Sequence, residues 1–140
     1  MRSLLVALDG AFVPNLRVSK LGGLLRSLNL LAAAKAQKRK IIVGAQVGET
    51  SILARAGAAL AQAAGNDLIG YEGAYGSRLL SEDAVDPSLG FGRDGAVDLG
   101  PFAAKPGWGL APAPVLADAF GKARAEGASY QNAMRSVIEP

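Results

Sequence analysis

Asn15-Leu16-Arg17-Val18-Ser19-Lys20, followed by Gly22-Gly23 and then by Leu24, Leu25, Leu28, Leu31 and Ala32, reads as a strand, a tight turn and a helix. Leu16 and Val18 alternate with polar neighbours, the period at which successive side chains fall on opposite faces of a strand. From Leu24 to about Gln37 the apolar positions recur at three and four, which gives a helix one buried stripe. The pattern then returns. Ile41-Ile42-Val43 is a continuous apolar run of the kind parallel strands show when both faces are covered. After a polar break at Gln46 to Thr50, Ser51 to Ala64 carries Ile52, Leu53, Ala56 and Leu60 on one side and stops at Gly65-Asn66, a C-cap signal. Asp67-Leu68-Ile69-Gly70-Tyr71 reads as a third strand. Strand starts near Asn15, Ile41 and Asp67 recur about every 26 residues, a length that fits βα units. Parallel strands joined by right-handed helical crossovers are the topology this spacing favours.

On either side of these units the texture differs. Upstream, Leu4, Leu5 and Leu8 have helical spacing and stop at Asp9-Gly10, so Arg2 to Leu8 reads as the end of a helix. Downstream of Tyr75, five of the seven prolines lie between Pro87 and Pro114 among scattered glycines, which predicts turns and irregular structure. Val115 to Ile138 regains helical spacing, broken by Gly121 and Gly127, and reads as one or two short helices. With no low-complexity linker, residues 1–140 are expected to form a single domain: βα repeats over 1–75, a Gly/Pro-rich closing segment over 76–114, and short helices over 115–140.

Composition narrows the chemistry. Half of the 140 residues are hydrophobic, enough for a compact core. Without cysteine there are no disulfides, thiolate nucleophiles or thiolate metal sites, and without histidine there are no serine-histidine triads or imidazole ligands. Any catalysis must use Lys, Arg, Asp, Glu, Tyr or backbone amides. The net charge of +3 is mild, and its one basic run, Lys38-Arg39-Lys40 with Lys35 before it, lacks the aromatic neighbours of a nucleic-acid surface. These cations are expected to close a helix end, where the dipole favours them by about 0.3–1 kcal/mol. No apolar run reaches the roughly 18 residues of a membrane span, and Met1 to Gly10 is a poor signal peptide, so a cytoplasmic protein with neither membrane nor nucleic-acid partners is expected.

The motifs point further. Asn15 to Leu24 resembles the sixth barrel strand and Gly-Gly turn of muconate-lactonizing-type enzymes. Ile42-Val43-Gly44-Ala45-Gln46-Val47-Gly48-Glu49-Thr50-Ser51 is similar to their seventh strand and Glu-Thr turn, and Asp67 to Glu72 to their eighth strand. Leu79-Leu80-Ser81-Glu82-Asp83 and Pro106-Gly107-Trp108-Gly109-Leu110 look like the exit and closing segments. The resemblance is to the mandelate racemase and muconate-lactonizing branch of the enolase superfamily. It covers roughly residues 1 to 114, with these motifs in the family's order. The fold it implies is α/β, a partial (β/α)8 TIM-type barrel of about strands six to eight with their helices, plus an irregular C-terminal segment. A complete barrel takes about 250 residues.

The resemblance implies proton abstraction beside a carboxylate, with Mg2+ stabilising the enediolate in the parent family. The family's metal carboxylates and one of its acid/base lysines belong to earlier strands, so these residues alone are expected to hold no Mg2+ and to be inactive. Arg17 falls where the family places its other acid/base lysine. An arginine stabilises an anion but is a poor general base near neutral pH. Lys20 is the second candidate, which strict strand alternation would turn to the opposite face from Arg17. Its plainer and favoured reading is a solvated strand-end lysine. Glu49 matches a carboxylate at the family's active-site mouth and equally suits a helix N-terminus. Gly22 and Gly23, together with Gln46, are candidate substrate-binding positions, the two glycines because amides ahead of a helix can receive an anion. No residue is assigned to a metal. Asp83, Asp86, Asp94 and Asp98 are expected to be solvated loop acids, and Trp108 a packing residue at the barrel bottom. Two other readings remain open: one half of a split barrel completed by a complementary chain, and a small non-catalytic anion-binding α/β module. Open strand edges lead to an expectation of self-association.

Overall fold

The computed structural model describes residues 12–73 and 75–127. The helix expected over Arg2 to Leu8 and the region beyond Gly127 lie outside the described residues. Strand β1 (Asn15–Arg17) leads into a single helical turn, α1 (Val18–Leu21), and then helix α2 (Leu24–Ala36). Strand β2 (Ile41–Gly44) is followed by helix α3 (Ser51–Ala64), and strand β3 (Leu68–Tyr71) completes a three-stranded sheet of order β1-β2-β3. Both pairings are parallel, so the sheet is wound in sequence order with a helical crossover in each connection.

The expected strand at Asn15 to Lys20 is shorter than its alternation suggested. Gly22 and Gly23 adopt positive φ of 80° and 106°, and both of their N–H groups bond to the Val18 carbonyl. Those two bonds draw Val18 to Leu21 into a helical turn and end the strand at Arg17. The third strand begins one residue later than expected, because Gly65–Asp67 forms a 3-10 turn. Its register with β2 runs Ile41↔Leu68 and then Ile42↔Gly70, which leaves Ile69 unpartnered and 56% exposed.

Helices α2 and α3 pack against each other over the core formed by Leu16, Val18, Leu30, Leu31, Ile41, Val43, Ala56 and Leu60. The buried stripes differ from the expected ones. In α2 the buried residues are Ser27, Leu30, Leu31 and Ala34, whereas Leu25 is 78% exposed and Ala32 is also exposed. Small side chains line this contact, and the Ser27 hydroxyl is accommodated by donating to the Gly23 carbonyl at 2.9 Å. In α3 the buried face is carried by Ala54, Ala56, Gly57, Ala58, Leu60 and Ala64, and Ile52 is half exposed.

The basic run closes a helix end, although not the end of its own helix. Lys35 Nζ donates to the Ala63 and Ala64 carbonyls at 3.1 Å each, at the C-terminus of α3. Lys40 Nζ donates to the Asn66 carbonyl at 2.8 Å, and both ammonium groups lie within 4.0 Å of the Asp67 carboxylate. The cations therefore tie the two crossover helices together where the α3 dipole is negative.

Beyond Tyr71 a 3-10 turn (Gly76–Arg78), a short antiparallel pair of β4 (Val85–Asp86) with β5 (Ala111–Pro112), and helix α4 (Gly100–Ala103) wrap α3. A second cluster of Ala54, Leu89 and Phe102 anchors this segment. Two expectations fail here. Trp108 is 45% exposed, too open to be a core packing residue. Helix α5 (Pro114–Ala125) runs through Gly121 without a break and ends before Gly127. Asp83 departs from the solvated-acid reading most sharply. Its carboxylate accepts from the Ser51 backbone N–H at 3.1 Å and from the Ser51 hydroxyl at 2.6 Å. Ser51 Oγ in turn accepts from the Leu89 N–H at 2.6 Å.

Candidate functional site

The C-terminal ends of the three parallel strands gather the polar side chains singled out in the sequence. In parallel α/β sheets that end is where loops converge and ligands bind. β1 supplies Asn15 and Arg17 and β2 ends at Gly44. Glu72, directly after β3, was not singled out and proves central. Asn15 Nδ2 donates to both Glu72 carboxylate oxygens at 3.4 and 3.5 Å, and Arg17 Nη2 is 3.9 Å from Glu72 Oε2. The two β1 side chains reach Glu72 by crossing β2 above Gly44. A Cβ there would collide with the Asn15 carboxamide and lie 2.9 Å from Arg17 Nε. The glycine is therefore what lets the first and third strands share an ion pair across the second.

Lys20 is not on the opposite side from Arg17. Because α1 is helical, Asn15, Arg17, Lys20 and Leu21 line one open depression of ≈ 260 Å³, with the two cations together. Gly22 and Gly23 serve a different purpose from the anion receptor considered above, since both amides are engaged by Val18. Gln46 is exposed, and its carbonyl accepts from the Glu49 N–H at 3.4 Å.

Glu49 reaches back to the first unit, where Ser19 Oγ donates to Glu49 Oε1 at 3.0 Å. The first turn of α3 holds no acid, and the capping carboxylate is that of Asp83. Beside Glu49 lies Tyr71, whose hydroxyl donates to the Ala54 carbonyl at 2.7 Å and whose ring meets Phe91 edge-on at 6.4 Å. Burial, reinforced by the nearby Glu49 charge and opposed by Arg55, pushes the Tyr71 phenol up to about 12. A neutral hydroxyl is thus fixed beside the site at any physiological pH.

That shift carries a prediction. A phenol that ionises near 10 when unfolded and about 12 when folded stabilises the fold fully below pH 10. The contribution is lost as pH rises from 10 towards 12, because the unfolded chain ionises first. Tyr71→Phe should cost about 1 kcal/mol at pH 8, the worth of one hydrogen bond. The gap between wild type and variant in urea midpoint should shrink as the pH is raised through this window.

Among the described residues no group of three or more acidic side chains is arranged to hold a metal ion, and no helix is long and apolar enough to cross a membrane. The site is therefore built from two cations, two carboxylates, a carboxamide, a serine hydroxyl and a half-buried phenol. Set beside known proteins, the chain matches no family model, no curated protein and no solved structure.

Proposed function

We propose that these residues are a C-terminal sector of an enolase-superfamily-like barrel that acts on a small carboxylate substrate by abstracting the proton beside the carboxylate. The observation that carries the reading is the convergence of Arg17, Lys20, Glu49 and Glu72 at the C-terminal ends of three parallel strands wound in sequence order. Two further features support it. The outer edges of β1 and β3 have no strand partner among the described residues, edges that further strands would pair in a closed barrel. At the same end lie Leu25, Ile52 and Val47, the last 92% exposed, a rim that a capping layer would cover.

On this reading Arg17 holds the substrate carboxylate or the enediolate oxygen. Its guanidinium stays protonated and takes no part in proton transfer. Glu72 and Asn15 fix its direction. The proton leaves the substrate carbon towards a base on a strand outside these residues. The family's Mg2+ would be held by residues elsewhere, since no three acids among the described residues are grouped to ligate it. A complementary barrel portion, either covalently continuous or a separate chain, completes the enzyme. The second reading, an anion-binding module without chemistry, is favoured by the Arg17–Lys20 depression alone.

The test is a fusion of this chain to the first portion of a related barrel, assayed for entry of solvent deuterium into a chiral carboxylate. Exchange on one face only is expected. Arg17→Lys should open the second face, since a lysine can give and take a proton there, and Lys20→Ala should leave exchange intact. Arg17→Ala should lower kcat by about 10²-fold, the loss typical of one anion-stabilising donor. Exchange on both faces before mutation, abolished by Lys20→Ala, would make Lys20 the base. A folded fusion that binds the carboxylate but exchanges neither face would leave the binding-module reading standing.

A further inference from the structure

Of the two cations in the depression at the end of β1, one already has a counter-charge and the other does not. The Arg17 guanidinium has Glu72 Oε2 at 3.9 Å, and Asn15 holds that carboxylate in place by donating to both of its oxygens. Lys20 has neither an ion pair nor a hydrogen bond among the described residues. Just outside lies one charge of each sign, Glu49 turned to the Ser19 hydroxyl and Arg26 over Gly22. Two cations and one fixed carboxylate therefore leave the depression with a single uncompensated positive charge. Its space of ≈ 260 Å³ is bounded on the remaining side by Leu21, an apolar wall. A ligand with one carboxylate brings this group to neutrality. With two, even when each meets a cation, the Glu72 charge is left uncancelled, and like charges this close repel.

We propose that the depression selects acids carrying one negative charge, Lys20 supplying the charge that the ligand carboxylate neutralises and Glu72 the charge that turns a second carboxylate away. The inference rests on the reading that the substrate carboxylate enters here, and it adds the substrate's class. The substrate is a small monocarboxylate whose remaining carbons are uncharged and face Leu21. Lys20 and Glu72 are specificity residues, acting on which acid binds and not on where its proton goes. At saturating substrate a change at Lys20 leaves the exchange pattern as it was, and its effect falls on KM.

Butanoate and succinate test this, because they differ only in a terminal methyl group against a second carboxylate. Each is titrated into the full chain at neutral pH, where both acids are ionised, and followed by the NMR shifts of the Arg17 and Lys20 amides. Wild type should bind butanoate about tenfold more tightly than succinate, a preference that shrinks as salt is raised. Glu72→Gln, which keeps the shape of the side chain and an acceptor for Asn15, should erase or reverse the preference. Lys20→Met should weaken butanoate about tenfold. If Lys20→Met disturbs α1, the wild type and Glu72→Gln decide alone. Succinate binding as tightly as butanoate in wild type, a preference unmoved by Glu72→Gln, or no saturable shift with either acid would overturn the proposal. Deuterium exchange in the fusion without a charge preference here sinks only this inference. A charge preference without exchange sinks only the catalytic reading.

Discussion

Asp83→Ala should lower the stability of the chain by about 2–4 kcal/mol, because it strips a carboxylate acceptor from two donors of one buried serine, whose hydroxyl oxygen holds a third donor in place. Asp83 accepts from the Ser51 N–H and hydroxyl, and Ser51 Oγ accepts from the Leu89 N–H. Ser51 itself is 1% exposed, so water cannot replace the lost partner. Thr50, at the N-cap position, makes no side-chain capping bond, and the Ser51 N–H at the helix start is held by this distant carboxylate instead. Asp83→Asn, which retains the shape and one acceptor oxygen, should lose about half as much. Urea denaturation measures the loss, and hydrogen exchange should show the Ser51 and Leu89 amides opening with it. A loss below about 0.5 kcal/mol would mean the acid is solvated after all.

Gly44→Ala should be nearly as damaging, with the harm directed at the site. The added methyl would meet the Asn15 carboxamide and Arg17 Nε at 2.9 Å, so both side chains must leave Glu72. Overpacking of this kind costs about 1–3 kcal/mol. Gly70→Ala is the internal control on the neighbouring strand. Its Cβ would meet nothing closer than Ile42 Cγ1 at 3.7 Å, an ordinary contact. That substitution should be neutral within about 0.5 kcal/mol, or slightly stabilising through the unfolded state. In the fused barrel, Gly44→Ala should reproduce most of the Arg17→Ala defect while Arg17 is still present. Equal midpoints for the two glycine variants would show that the Asn15–Glu72 bridge is not set by the glycine.

The βα units were legible because their signals are local. Leu16, the Ile41-Ile42-Val43 run and the glycines at 22, 23 and 65 act within a few residues of themselves, and the elements fall close to the expected places. The phase of the helical stripes was less legible. Leu25 and Ile52 are as apolar as their buried neighbours, and only the partner helix decides which apolar position turns inward. Lys20 was misplaced for a related reason: two glycine amides bonding back to Val18 convert the strand end into a turn, and alternation no longer applies. Glu72 was passed over and Asp83 was read as a solvated acid for one reason. Glu72 acts on a residue 57 positions away and Asp83 on one 32 away. An acidic residue in a loop carries no local mark of such a partner. The signal that could have found Asp83 is the bare N-terminus of α3, which lacks an acid in its first turn and had to be capped from elsewhere.

The ring of Tyr71 has a consequence for how such a chain can diverge. A side chain at Gly57 would come within 3.2 Å of that ring, and one at Gly73 would collide with its hydroxyl end. Neither glycine has a positive φ, so nothing in the backbone demands them and the ring alone does. The three positions therefore behave as one heritable unit. An alanine at 73 requires the ring to move away or shrink, one at 57 asks it to give by a few tenths of an ångström, and a descendant that has lost the ring is free to fill both. Related chains, wherever they occur, should change at these positions together or keep all three.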